Sequence, residues 1–159
     1  MNDFNRIFGS GPVGLSISII LLLLSNYLRN TFNIPEIFAD HYAIRLAIFI
    51  ILTAVSIAVV GWSFKSLNPM LRGRNLIRTG AFKYFRHPLY GAFLTFFDFG
   101  LAILLNNWVF VCWAFLLHPI WHFLVKREEN VLTEAFPNDY EEYCKVTGRF
   151  FPRLITKKQ

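Results

Sequence analysis

Residues 88–125, PLYGAFLTFFDFGLAILLNNWVFVCWAFLLHPIWHFLV, decide the fold. Two apolar runs, 89–105 and 108–125, are divided only by Asn106 and Asn107. At ~1.5 Å per residue each run comes close to crossing a hydrocarbon core about 30 Å thick. Two polar residues between apolar helices allow only a tight reversal, so the runs are expected to pack as an antiparallel helical hairpin.

On the N-terminal side, further apolar runs at 12–28 and 43–64 bring the candidate spans to four. The spans at 12–28 and 89–105 are short, which calls for longer true helices or local bilayer thinning. The first run has no basic lead and no small-residue cleavage site, so it reads as a retained helix rather than a signal peptide. The whole chain of 159 residues is 55% hydrophobic and only 16% charged, with mean hydropathy +0.42. Ordinary soluble domains carry about 25% charged residues. The expectation is a single all-α integral membrane domain over 1–159, with N-terminal spans in 1–70 and a functional core in 71–155. Lipid bilayer is therefore an expected partner.

Beyond residue 125 the chain turns polar. A helix over 125–136, continuing the fourth span or starting an amphipathic segment, should end at Pro137, and a short helix should follow at 139–146. Residues 65–88, with Pro69, Gly73, Gly80 and Pro88, read as a loop holding at most one interfacial turn. Cys112 and Cys144 share no metal-ligand spacing and read as reduced thiols.

The net charge of +6 could suggest nucleic acid, but its placement points to a membrane. Six Lys and Arg residues lie in 65–88, seven follow residue 125 and Arg6 precedes the first span, whereas only Arg29 and Arg45 lie on the opposite side. By the positive-inside rule both termini and the basic loop should be cytoplasmic, in the inner membrane if the source is bacterial. No nucleic-acid partner is expected, and oligomeric state is not legible.

Depth along the hairpin sorts the ionisable residues. His87 lies about twenty positions before the Asn106–Asn107 apex, and Glu128 and Glu129 about twenty-two after it, which is about 29–34 Å at the helical rise. Arg86, His87, Glu128 and Glu129 thus share one level at the cytoplasmic surface, with Tyr90 beside them. Such a set suits a zwitterionic ligand with an aromatic base, Arg for a carboxylate and Glu for an ammonium or ribose. The same residues would also serve as an interfacial salt-bridge cluster that anchors the hairpin.

Asp98 and His118 form a deeper pair about one helical turn apart in depth, close enough for a hydrogen bond across the hairpin to be open to them. That pair reads either as a mutually satisfied polar contact or as the proton relay of a small non-enzymatic transporter. His118 and His122 share a helix face, but no HExxH glutamate or third ligand accompanies them, so no metal site is assigned.

LIRTGAFKYFRHPLYG at 76–91, KREENVLTEAF at 126–136 and YEEYCKVTGRFFP at 140–152 resemble the isoprenylcysteine carboxyl methyltransferase family and its phospholipid methyltransferase-like relatives. The matching features are Gly80 and Tyr84, the Arg86-His87-Pro88-x-Tyr90 core, Glu128-Glu129, Tyr140 and Tyr143, and the closing Arg149 and Pro152. The resemblance implies an S-adenosylmethionine-dependent methyltransferase acting on a lipophilic or small acceptor: an isoprenylcysteine-like carboxylate, a lipid amine or a thiol. It implies Arg86 and Glu128 as catalytic residues. It implies Tyr84, His87, Pro88, Tyr90, Glu129, Tyr140 and Tyr143 as cofactor-binding residues. The N-terminal spans carry no motif that would define the acceptor.

Overall fold

A computed structural model describes residues 9–38, 41–67 and 76–153. Its helices are α1 (Gly11–Phe32), α2 (Tyr42–Ser66), α3 (Pro88–Leu105), α4 (Trp108–Leu124), α5 (Lys126–Ala135) and α6 (Pro137–Val146). Among the described residues four helical runs are long and apolar enough to cross a membrane: α1, α2, α3, and α4 continued through α5. The chain is an all-helical integral membrane protein.

The solvent for these helices is lipid, and the side chains are sorted accordingly. On α2 the buried positions include Ser56 and Ser63, while Ile50, Ile51 and Ile57 face outward. In a bilayer apolar bulk gains nothing by facing inward, so small residues take the interface and let backbones approach. Gly100 of α3 shows this: a Cβ there would lie 3.2 Å from Leu52 Cβ of α2. Residues Phe93–Phe97 form one π turn inside α3, and the Ser56 hydroxyl donates to Ala92 O beside it at 3.2 Å.

Helix α2 packs on α3, α3 on α4, and α1 on α4, so the α3–α4 pair sits between the two N-terminal spans. Trp113 and Trp121 of α4 donate their indole N–H groups to Ser18 O and Ser18 Oγ of α1, both at 3.1 Å. Gly14 of α1 lies under the Trp121 ring, where a Cβ would come within 2.5 Å.

Asn106 ends α3 in the left-handed region, at φ 55°, and the Asn107 side chain caps α4 by accepting from Val109 N at 3.2 Å. Both are buried under the segment 34–38. Asn107 Nδ2 donates to Ile34 O at 2.6 Å and to Pro35 O at 3.1 Å, and Asn106 Nδ2 donates to Phe38 O and Glu36 Oε2, each at 2.9 Å.

Past α4 the helix breaks only at Val125 before α5 resumes. Pro137 does more than stop α5: it opens α6, two residues earlier than the helix expected at 139–146, because proline suits the first turn of a helix. Of the basic loop expected at 65–88, residues 68–75, with Pro69, Arg72, Gly73 and Arg74, lie outside the described residues. So do Arg6, Lys157 and Lys158, which enter the charge count for orientation.

Candidate active site

The site is assembled where the chain enters α3 and where it leaves α6. A 3-10 turn at Gly80–Lys83 is followed by an extended stretch that docks on residues 147–149. Arg86 N donates to Gly148 O at 2.8 Å and His87 N to Arg149 O at 3.0 Å. This two-segment bridge leaves no room for side chains at its glycines. A Cβ on Gly91 would lie 2.6 Å from Phe150 O, and one on Gly148 would overlap Phe151 O. Tyr143 of α6 clamps the same corner by donating its hydroxyl to Phe82 O and, at 3.3 Å, to Phe85 O. Pro88 is buried and starts α3 at a position where its missing N–H costs nothing.

Glu129 is the hub. Arg86 Nε donates to its Oε1 at 2.9 Å, Arg149 Nε donates to the same oxygen at 3.0 Å, and Arg149 Nη2 donates to Oε2. Arg86 Nη1 is fixed in turn by Thr147 O at 2.7 Å. His87 Nε2 comes within 3.4 Å of Glu129 Oε1 but is not aligned for a hydrogen bond, and it has no other partner among the described residues. Its Nδ1 lies 3.6 Å from Glu128 Oε2. Glu128 accepts from the Tyr90 hydroxyl at 3.1 Å and from Ser10 N. The His87 ring stacks against Tyr90 with centroids 5.7 Å apart. Arg86, Glu129 and Arg149 side chains are 12%, 10% and 16% exposed, so their attraction is little screened and loss of one leaves the others costly.

Tyr140 is buried beside this hub, and its hydroxyl has no partner among the described residues. Burial, with the nearby Glu129 carboxylate, holds its ionisation well above the ordinary tyrosine range. Burial pushes Tyr143 up to about 12. Both phenols stay protonated at neutral pH and keep a hydrogen to donate. On Arg86 burial works against the charge, but the hydrogen bond to Glu129, the charge of that carboxylate and the neighbouring Cys144 and Tyr140 together outweigh it and raise the guanidinium above its usual value.

A groove of about 490 Å³ adjoins the hub at Arg149 and is lined by His118, Pro119, His122, Phe123, Phe150 and Phe151. Its walls are largely aromatic, with Arg149 and His122 at its polar end, where Arg149 Nη1 meets His122 Nε2 and His122 O.

The residues placed on one level by helical rise, Arg86, His87, Glu128 and Glu129, meet in one cluster with Tyr90, and Tyr140 and Tyr143 back it. Tyr84 does not join them. Its backbone is helical, φ −107° and ψ −34°, closing the 3-10 turn before the extended stretch begins. Its half-exposed ring lies 5.9 Å from Trp62. Asp98 and His118 do not pair either. His118 Nδ1 bonds Ala114 O at 3.2 Å and its ring stacks on Phe151, while Asp98 Oδ2 has no partner among the described residues. The proton relay read from depth therefore lacks its link. Ser10 had not been read as part of the site, whereas Arg149 stood in the closing motif and His122 on the helix face it shares with His118.

Residues 42–134 match the family model described as the isoprenylcysteine carboxyl methyltransferase (ICMT) family. The matched stretch holds Arg86, His87, Tyr90, Glu128 and Glu129, and it stops short of Ser10 on one side and of Tyr140, Tyr143 and Arg149 on the other. No curated protein gives a significant match.

Proposed function

The chain belongs to the isoprenylcysteine carboxyl methyltransferase family, and on that premise we propose that its methyl donor is S-adenosylmethionine and its acceptor a lipophilic or small molecule bearing a carboxylate, amine or thiol. The observation that carries this reading is the Glu129 hub: a buried carboxylate between Arg86, His87 and Arg149, with His87 Nε2 and the Tyr140 hydroxyl beside it making no hydrogen bond among the described residues. Buried polar atoms are nearly always satisfied, so two orphans at one spot suit a ligand that brings the missing partners.

The fit to the donor is chemical. Arg86 and Arg149 offer paired cations for its carboxylate, and Glu128 and Glu129 offer acceptors for its ammonium and ribose hydroxyls. The His87–Tyr90 stack and the protonated phenols of Tyr140 and Tyr143 suit an aromatic base and a sulfonium. Bound S-adenosylmethionine supplies an already activated methyl group, so the protein's work is alignment and exclusion of water. Arg86 and Glu128 are the residues proposed to orient the reacting groups; Tyr84, turned toward Trp62, is left out. The aromatic groove beginning at Arg149 supports an acceptor with an apolar tail. His122 already meets Arg149 through Nε2, which disfavours it as a general base.

The bias of Lys and Arg supports a cytoplasmic location for both termini and the site. Calorimetric titration of the detergent-purified chain with S-adenosylmethionine and S-adenosylhomocysteine tests the donor. The parent should bind both, and Glu129→Gln and His87→Ala should each weaken binding more than tenfold while still melting cooperatively. Binding within threefold of the parent in both variants would overturn the assignment.

A further inference from the structure

We infer that the turn at Gly9–Ser10, which opens the first span, is a positioning element for Glu128, its backbone N–H holding the carboxylate that the proposed donor site presents. The inference rests on the donor reading above and adds a wall from outside the family-matched residues, which begin at 42.

Ser10 N donates to Glu128 Oε1, and the Ser10 hydroxyl donates to Leu124 O at 2.9 Å, tying the turn to the end of α4 just ahead of Glu128. Gly9 is in the left-handed region at φ +57°, and a Cβ there would lie 2.5 Å from Glu128 Oε1. A side chain at this position would be strained by the backbone conformation and would push the Glu128 carboxylate aside. Tyr90 donates to the same oxygen at 3.1 Å. Glu128 Oε1 is thus held by two donors from different spans, and Oε2 is left facing His87 Nδ1. The positive end of the α1 dipole, 22 residues long and with no acidic residue in its own first turn, favours the same carboxylate.

The backbone itself suggests the test. Ser10 has φ −81°, which proline adopts, so Ser10→Pro removes the N–H and sets its ring where the carboxylate now sits. The full chain in detergent is titrated with S-adenosylhomocysteine and melted without ligand, for Ser10→Pro, Ser10→Ala, Glu128→Ala and the Ser10→Pro/Glu128→Ala pair. Ser10→Pro should weaken binding at least tenfold with a melting midpoint close to the parent's. Ser10→Ala, which keeps the N–H, should recover binding to within threefold. In the Glu128→Ala background Ser10→Pro should change affinity less than twofold, because the N–H acts through that carboxylate. Where Glu128→Ala binds too weakly to titrate, the loss in Ser10→Pro with recovery in Ser10→Ala is the supporting result. Should Ser10→Pro fail to fold, Gly9→Ala displaces the same carboxylate and is read the same way. Ser10→Pro binding like the parent, or losses that add in the pair, would overturn the positioning role alone. A parent that binds no S-adenosylhomocysteine would overturn the donor reading and this role with it.

Discussion

The two ends of the α3–α4 pair bury polar side chains in opposite ways. At the apex, the amides of Asn106 and Asn107 donate to backbone carbonyls of the 34–38 segment and to Glu36, and Asn107 accepts from Val109 N in the first turn of α4. At the other end, Glu129 is held by side chains, Arg86 and Arg149, and orphaned atoms lie beside it. Neutral amides answered mainly by backbone, with one carboxylate among their partners, close a turn and ask for nothing more. Converging charges that answer one another are costly to assemble, and a site that can rearrange its partners is where a ligand can enter. The comparison predicts that damage at one end appears in melting alone, and at the other in melting and ligand binding together.

The largest effect should come from Glu129→Ala. It strands two partly buried guanidiniums and should cost about 3–5 kcal/mol of stability, with donor binding lost. Thermal or denaturant melts with a parallel titration read both. A variant that melts like the parent would mean that the charges at this end are not what holds it together.

Asn107→Ala comes next. It removes two donations to Ile34 O and Pro35 O and the cap on Val109, for about 2 kcal/mol, while donor affinity stays within twofold. Affinity falling in step with stability would break the contrast between the ends.

The smallest effect is expected midway, at Asp98→Asn. Asp98 is buried in α3 with no partner among the described residues, so a neutral side chain of the same shape should shift stability by less than ~0.5 kcal/mol and leave methyl transfer intact. Near-complete loss of turnover at unchanged melting would place Asp98 on the acceptor's path instead.

Much of this cluster is legible in the sequence, and the parts that are not share a cause. Helical rise converts sequence separation into depth, so Arg86, His87, Glu128 and Glu129 could be set on one level although some forty residues separate the two pairs. Rise says nothing of azimuth. Asp98 and His118 lie at similar depth, yet His118 turns to Ala114 O and Phe151, and the two never meet. Tyr84 was carried in by its place in the motif, but the 3-10 turn aims its ring at Trp62 before the chain becomes extended. The tail tyrosines, equally compatible with membrane-surface anchoring, are buried: Tyr143 bonds backbone of the loop ahead of α3, and Tyr140 sits beside Glu129.

By itself the sequence determined the spans, the all-helical class and the family, because a bilayer demands long uncharged runs whose backbones satisfy themselves, and such runs are visible residue by residue. Tertiary structure alone decided which partners complete the site. Arg149 reaches Glu129 only because residues 84–87 dock on 147–149 through backbone hydrogen bonds. Ser10 reaches Glu128 only because Gly14 lets α1 lie close against Trp121. Those contacts join segments more than sixty residues apart through groups that every residue carries or through the absence of a side chain, and neither has a pattern that the sequence can display.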